Sequence, residues 1–139
     1  MADMSLCINK YVQQILEESE EIKAIIGNNE HKIFPLLQPE EVTFPFIVHS
    51  RTGIQTTYTK DIEYTGAGWY NIVQFSIICV SNDYMQSVEL ANAVRHSVET
   101  YRWKDKDIYI HPIELTSASE YTTEYDGYVQ QLNFQCMVE

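Results

Sequence analysis

The stretch WYNIVQFSIICVSND at positions 69–83 decides the fold. A strand turns successive side chains to opposite faces. Over 69–80 that puts Val73, Phe75, Ile77 and Cys79 on one face and Ile72, Gln74, Ser76, Ile78 and Val80 on the other. The first face is apolar throughout, and the second becomes apolar towards its end. Such a strand is central in its sheet, or has its second face covered in an oligomer. Ser81, Asn82 and Asp83 then offer three helix N-caps. Beyond them the apolar period lengthens to that of a helix, with Tyr84, Val88, Ala91, Val94, Val98 and Tyr101 in one stripe and Gln86, Glu89, His96 and Glu99 away from it.

Upstream, a first helix is expected over about Ser5 to Ile26. Ile8, Tyr11, Val12, Ile15, Leu16, Ile22 and Ile26 share one side of it, and Glu17, Glu20 and Glu21 lie opposite with Glu18 on the flank. Gly27 and Asn28 supply its stop. Residues 29–43 carry Pro35 and Pro39 and read as an irregular connector held to the core by Ile33-Phe34 and Leu36-Leu37. Phe44 to Ser50 reads as a short strand, with Pro45 at its start, where no ladder N–H is needed. Gly53 to Gly68 is polar and Thr-rich and reads as a protruding hairpin or a mobile loop, of a length that is usually functional or disordered.

Downstream, Trp103 to Asp107 is a charged turn, and Ile108 to Ala118 a strand in which Pro112 demands an edge position or a bulge. Ser119 to Asp126 is polar, and Asp126-Gly127 signals a turn. In the closing strand Tyr128, Leu132, Phe134, Cys136 and Val138 point one way, and Gln131, Asn133 and Gln135 the other. The order α-β-β-α-β-β gives an α+β class: a mostly antiparallel sheet with two helices on one face, in a single domain spanning 1–139.

Composition removes whole classes of function. The chain has 139 residues, with 20 acidic against 9 basic side chains and a net charge of −11. It lacks the basic footprint of a nucleic-acid binder and the polybasic segment that would hold it on an anionic membrane. No apolar run is long enough for a transmembrane helix, and no signal peptide is evident. Cys7, Cys79 and Cys136 form no C-x-x-C pair and read as buried small hydrophobes in a reducing compartment, so the chain is expected to be soluble and intracellular when made.

The search for chemistry finds no catalytic, cofactor-binding or metal-binding set. His31, His49, His96 and His111 make no i,i+4 pair, although His49 and His111 could meet in space. Asp105 and Asp107 begin a calcium-loop pattern, but Ile110 and Thr116 stand where Gly and Glu are needed. Gly66-x-Gly68 precedes a strand rather than a helix, so it is no phosphate loop. No cofactor is implied. Among the ten tyrosines, Tyr58, Tyr64, Tyr121 and Tyr125 fall in segments expected to be exposed, where a rigid ring with a hydroxyl suits an interface.

An ordered set of features resembles a known family. The set comprises the helix ending at Gly27, Ile33-Phe34-Pro35, the Phe44-Pro45-Phe46-Ile47-Val48 strand, Val73-Gln74-Phe75, the helix bearing Leu90-Ala91-Asn92-Ala93-Val94-Arg95, Tyr125-Asp126-Gly127-Tyr128 and Leu132-Asn133-Phe134. From about Met4 to Val138 the chain resembles the tail-completion or tail-terminator proteins of long-tailed bacteriophages and prophages. The resemblance implies a non-enzymatic structural protein with no active-site residues to carry over. It implies a ring, typically of six subunits, that caps the tail tube and presents a docking surface to the head side. The partners implied are further copies of itself, the tail tube protein and a head–tail connector protein, with no specific nucleic-acid or membrane binding. The place implied is the bacterial cytoplasm during assembly and the virion tail or neck afterwards. Gly53–Gly68 looks longer than the family usually has. Tyr58, Ile62, Tyr64 and Trp69 in and beside it are the candidate subunit or tube contacts, because the core does not need them. The alternatives are another neck connector protein or a small cytosolic ligand-binding α+β domain.

Overall fold

A computed structural model describes residues 8–27, 32–36, 43–57, 70–101, 112–123 and 127–138. Its elements are α1 (Ile8–Glu18), α2 (Glu20–Ile26), β1 (Ile33–Pro35), β2 (Phe46–Thr57), β3 (Tyr70–Ser81), α3 (Tyr84–Thr100), β4 (Glu114–Thr122) and β5 (Tyr128–Val138). The five strands form one sheet in the order β1-β2-β3-β5-β4. β2–β3, β3–β5 and β5–β4 are antiparallel, and β1 runs parallel to β2. The class is α+β, and β3 is the central strand, one of the two alternatives its sequence left open.

The helices lie on one face of the sheet. Ile47, Val73, Phe75, Ile77, Cys79, Leu132, Phe134, Cys136 and Val138 meet the buried sides of α1, α2 and α3 in one core. Phe75 and Phe134 stack across β3 and β5 with ring centroids 5.5 Å apart. All seven apolar residues assigned to the first helix are buried, as the helical period demands. That helix is nevertheless two: Ser19 interrupts it, accepts a bond from the Ile22 N–H as the N-cap of α2, and shares a 2.6 Å hydroxyl contact with Ser97 of α3.

Several expectations need correction. Ile33–Pro35 is not irregular connector but a strand, pairing Ile33 with Ile47 and Pro35 with His49. Leu36 is no core anchor: its side chain is 64% exposed at φ 67°, while its N–H closes the β1 pairing on the His49 carbonyl at 2.8 Å. β2 continues past Ser50 to Thr57, through a bulge between Arg51 and Gly53, so the first part of the predicted loop is ladder. Pro45 precedes β2, after a cis peptide bond with Phe44. Pro112 lies ahead of β4, which is an edge strand and extends to Thr122. The buried side of α3 is Ser87, Leu90, Ala91, Ala93, Val94 and Val98, so Tyr84 is exposed rather than part of the stripe. The charged turn Trp103–Asp107, Cys7, His31, His111 and Gly66–Gly68 lie outside the described residues.

The other sheet face carries a smaller cluster at one end. Phe46, Val80 and Val129 are buried there beneath Phe34, Phe44, Val48 and Ile78. Beyond that cluster the face carries Ser50, Ser76, Asn133 and Ser117 in one row and Gln74, Gln135 and Glu114 in another, followed by Ile72 and Met137 beside Gln55. No described helix covers it.

Candidate assembly interface

The four residues singled out in sequence as contacts, Tyr58, Ile62, Tyr64 and Trp69, lie outside the described residues. Their anchors are described. Thr57 ends β2, Tyr70 begins β3, and the two are paired, so the chain leaves and re-enters the sheet at one point. At the opposite end of the sheet stand the N-terminus of α3, the end of β4 and the start of β5.

That opposite end is where the described aromatic surface lies. Tyr84, Met85, Tyr121 and Tyr128 are all exposed there. The rings of Tyr84 and Tyr128 meet edge to face at 5.7 Å. The Tyr84 hydroxyl donates to Glu120 at 2.8 Å, and Gln130 Nε2 donates to the same carboxylate at 2.9 Å. The bonds from Gln130 and Tyr84 hold the Glu120 carboxyl below its usual range, and the same carboxylate raises the Tyr84 hydroxyl. A depression walled by Tyr84, Glu120, Tyr121, Thr122, Tyr128 and Gln130 results. Its charge and its aromatic edges are held in place before any partner arrives, which suits contact with one. The sequence placed Tyr121 in this exposed class. It missed Tyr84 and Tyr128: Tyr84 opens α3 ahead of that helix's first buried residue, Ser87, and Tyr128 opens β5 beside it.

The remaining sequence candidates resolve into structure. His49 is buried on the helix-facing side, with Nε2 2.6 Å from Gln13 Oε1. Gln13 Nε2 donates to the Ile33 carbonyl at 3.0 Å and to Glu17 at 2.8 Å. The amide is therefore oriented, and the His49 Nε2 carries the proton. Its Nδ1 is buried with no hydrogen-bond partner among the described residues. His96 is exposed and sits 2.6 Å from Glu21. Glu17, Glu18, Glu20 and Glu21 are exposed, with Glu18 also accepting from Tyr101, so the acidic cluster is a hydrated helix surface. Cys79 and Cys136 are buried free thiols, and burial pushes Cys136 up to about 12 and Cys79 higher still. Among the described residues no group of three or more His, Cys, Asp or Glu side chains could hold a metal ion. No described helix is long and apolar enough to cross a membrane.

Both edges of the sheet offer backbone. β4 is nine residues long, carries no strand on its outer side among the described residues, and is exposed apart from Leu115. At the far edge β1 covers β2 only from Ile47 to His49, so no described strand flanks residues 53–57. Open edges of this length recruit another strand unless something blocks them.

No protein-family model and no curated protein matches the chain. Its fold is similar to a chain in the solved structure described as the virion of a native gene transfer agent particle, with a TM-score of 0.70 over 92% of this chain and 91% of that chain. The sequence identity is 17%, so the likeness is one of fold over nearly the whole length of both chains.

Proposed function

We propose that this chain is a structural protein of a tailed-phage-like particle, and that it forms a ring which closes the tail tube and helps join tail to head. The observation that carries the reading is the fold shared over 92% of the chain with a component of a gene transfer agent virion. The order of sequence features that resembles tail-terminator proteins agrees with it. The ring would be assembled from six copies in the host cytoplasm and retained in the virion neck.

The two ends of the sheet divide the work in this reading. One end carries Tyr84, Met85, Tyr121 and Tyr128. At the other the chain leaves β2 at Thr57 and returns at Tyr70, and we assign Tyr58, Ile62, Tyr64 and Trp69 between them to the tube or a neighbouring subunit. A cap between two different partners needs two different axial surfaces, and repetition around a ring turns weak contacts into firm ones.

Electron microscopy of the protein mixed with purified tail tubes tests this. Density confined to one tube end is the expected result. Absence from tube ends, with binding to head-side connector complexes instead, would replace the cap by a neck connector. Absence from both would remove the reading.

A further inference from the structure

The two open edges of the sheet are complementary in direction. β2 and β4 run antiparallel to each other, because β2–β3, β3–β5 and β5–β4 are each antiparallel. A second copy placed beside the first in the same sheet therefore brings its β2 antiparallel to the first copy's β4. Main-chain hydrogen bonds then continue from one chain to the next, head to tail.

β1 dictates the register. It occupies the outer side of β2 in the rows of Ile47, Val48 and His49. Those rows continue across the sheet to Glu120, Ser119 and Ala118 of β4, with Tyr121 and Thr122 beyond them. A copy joined without a slide would drive its β1 into the neighbour's β4. Pleating allows only even slides, since an odd one would set opposite faces side by side. A slide of about six residues is the first that clears β1 completely, and it puts Tyr121 beside Gly53 and Ser119 beside Gln55. Six residues are about 20 Å along the strands, against about 19 Å across the four full strands of one copy. The strands then tilt by roughly 45°, at the upper limit of what closed barrels adopt. A steric stop in one chain thus yields the stagger that a closed multi-chain barrel needs.

The direction of the slide tells inside from outside. α3 connects β3 to the parallel strand β4 across the sheet face, and such crossovers are right-handed. Seen from the helix side with β3 pointing up, β4 is on the right, and the copy that abuts it has to slide up to clear its own β1. Strand twist has one hand, so barrel strands seen from outside lean up to the right, and each right-hand neighbour slides up. The two agree when the helices are outside.

We propose that copies of this chain join β4 to residues 53–57 of the next β2 with this stagger, closing into a barrel whose outer wall is helical. The inner wall is the sheet face away from the helices, with Ser50, Ser117, Asn133, Gln74 and Gln135 in its middle rows, Ile72 and Met137 towards one end and the cluster of Phe46, Val80 and Val129 at the other. Among the described strand residues on that face Glu114 is the one charged group. The described strand residues of this lining are then nearly neutral, uncharged polar groups between two apolar ends with no Lys or Arg among them, a wall to which a passing polyanion does not adhere. Six copies would give about 24 strands and a backbone diameter of roughly 50 Å, wide enough for a duplex. Closure rests on the ring reading above, whereas the pairing does not.

Cysteine cross-linking in a Cys7→Ala background tests the pairing. A mixture of Gln55→Cys and Ser119→Cys chains, oxidised at high concentration, is expected to give roughly tenfold more linked dimer than a mixture of Ser50→Cys and Ser117→Cys chains, which match only without a slide. The double variant Gln55→Cys/Ser119→Cys is expected to give closed multi-chain species by mass. Equal linking of both mixtures, no linking of the staggered pair, or equal dimerisation of Ser119→Cys alone would each overturn the proposal, the last in favour of a two-fold β4–β4 contact. Linking without density at tube ends would keep the barrel and remove the cap. Tube-end density without linking would do the reverse.

Discussion

His49 shows how a single residue couples the helices to the sheet. Its ring lies under α1, and Gln13 joins it to the carbonyl of Ile33 in β1. Burial disfavours the imidazolium and lowers the pKa from 6.5 to about 4. In the unfolded chain the group protonates near 6.5, so between the two values the unfolded state binds more protons and stability rises with pH. The contribution is fully present above pH 6.5 and is lost as pH falls towards 4, for a total of about 3 kcal/mol. Urea unfolding across that range is expected to show this slope in the wild type and a flatter one in His49→Leu, whose curve lies lower at neutral pH because Gln13 loses its partner. Equal slopes would mean that His49 is hydrated in solution. The sequence marked His49 as a strand histidine without giving it a side, and the partner Gln13 is 36 positions away, where no local pattern announces it.

At the scale of elements, what was legible was periodic and what was missed was set by distant contacts. β3, β5 and the buried side of the first helix follow from alternation and helical period alone. β1 did not, because three residues carry no period and exist as a strand only through pairing with β2. The break at Ser19 had a signal in Ser19 followed by Glu20 and Glu21, a capping residue with acids in the first turn, but the apolar residues before and after it share one helical face, which hides the break. Gly127 shows a correct position with an incomplete reason. Sequence marked it as a turn glycine; the structure adds that a Cβ there would stand 2.6 Å from Thr123 Oγ1 and 3.3 Å from both Phe44 Cε1 and Val80 Cγ1. Thr123 Oγ1 is itself engaged, accepting from the Gly127 N–H at 3.0 Å, and the Thr123 N–H donates to the Gly127 carbonyl at 2.8 Å. Gly127→Ala is therefore expected to destabilise the fold by about 1–3 kcal/mol through overpacking at the β4–β5 turn. Thermal unfolding of the variant checks it, and an unchanged Tm would show that the turn yields freely.

At the scale of the whole molecule, part of the acidity behind the net charge of −11 has a location. Glu17, Glu18, Glu20 and Glu21 lie on the helical layer, on the opposite side of the molecule from the Ser, Gln and Asn face of the sheet. In the staggered barrel these acids face outward, so they keep the ring soluble and do not line its passage. The candidate contacts named in sequence can be separated from the fold by a single replacement. Thr57 and Tyr70 are paired, so joining them through Asn-Gly in place of residues 58–69 closes the β2–β3 hairpin with a two-residue turn of the preferred kind. Shortening that loop lowers its closure entropy by only about 1–2 kcal/mol, and no described core residue is removed. The replaced chain is expected to unfold at a Tm no lower than the wild type and to retain the Gln55–Ser119 cross-link. It is also expected to lose density at tube ends in electron micrographs, because Tyr58, Ile62, Tyr64 and Trp69 leave together. Retained tube-end density would move the axial contact to the opposite end of the sheet, where the exposed Tyr84, Tyr121 and Tyr128 stand around Glu120. Loss of the cross-link together with the tube contact would mean that the two surfaces are one, and that subunit joining and tube recognition cannot be divided in this fold.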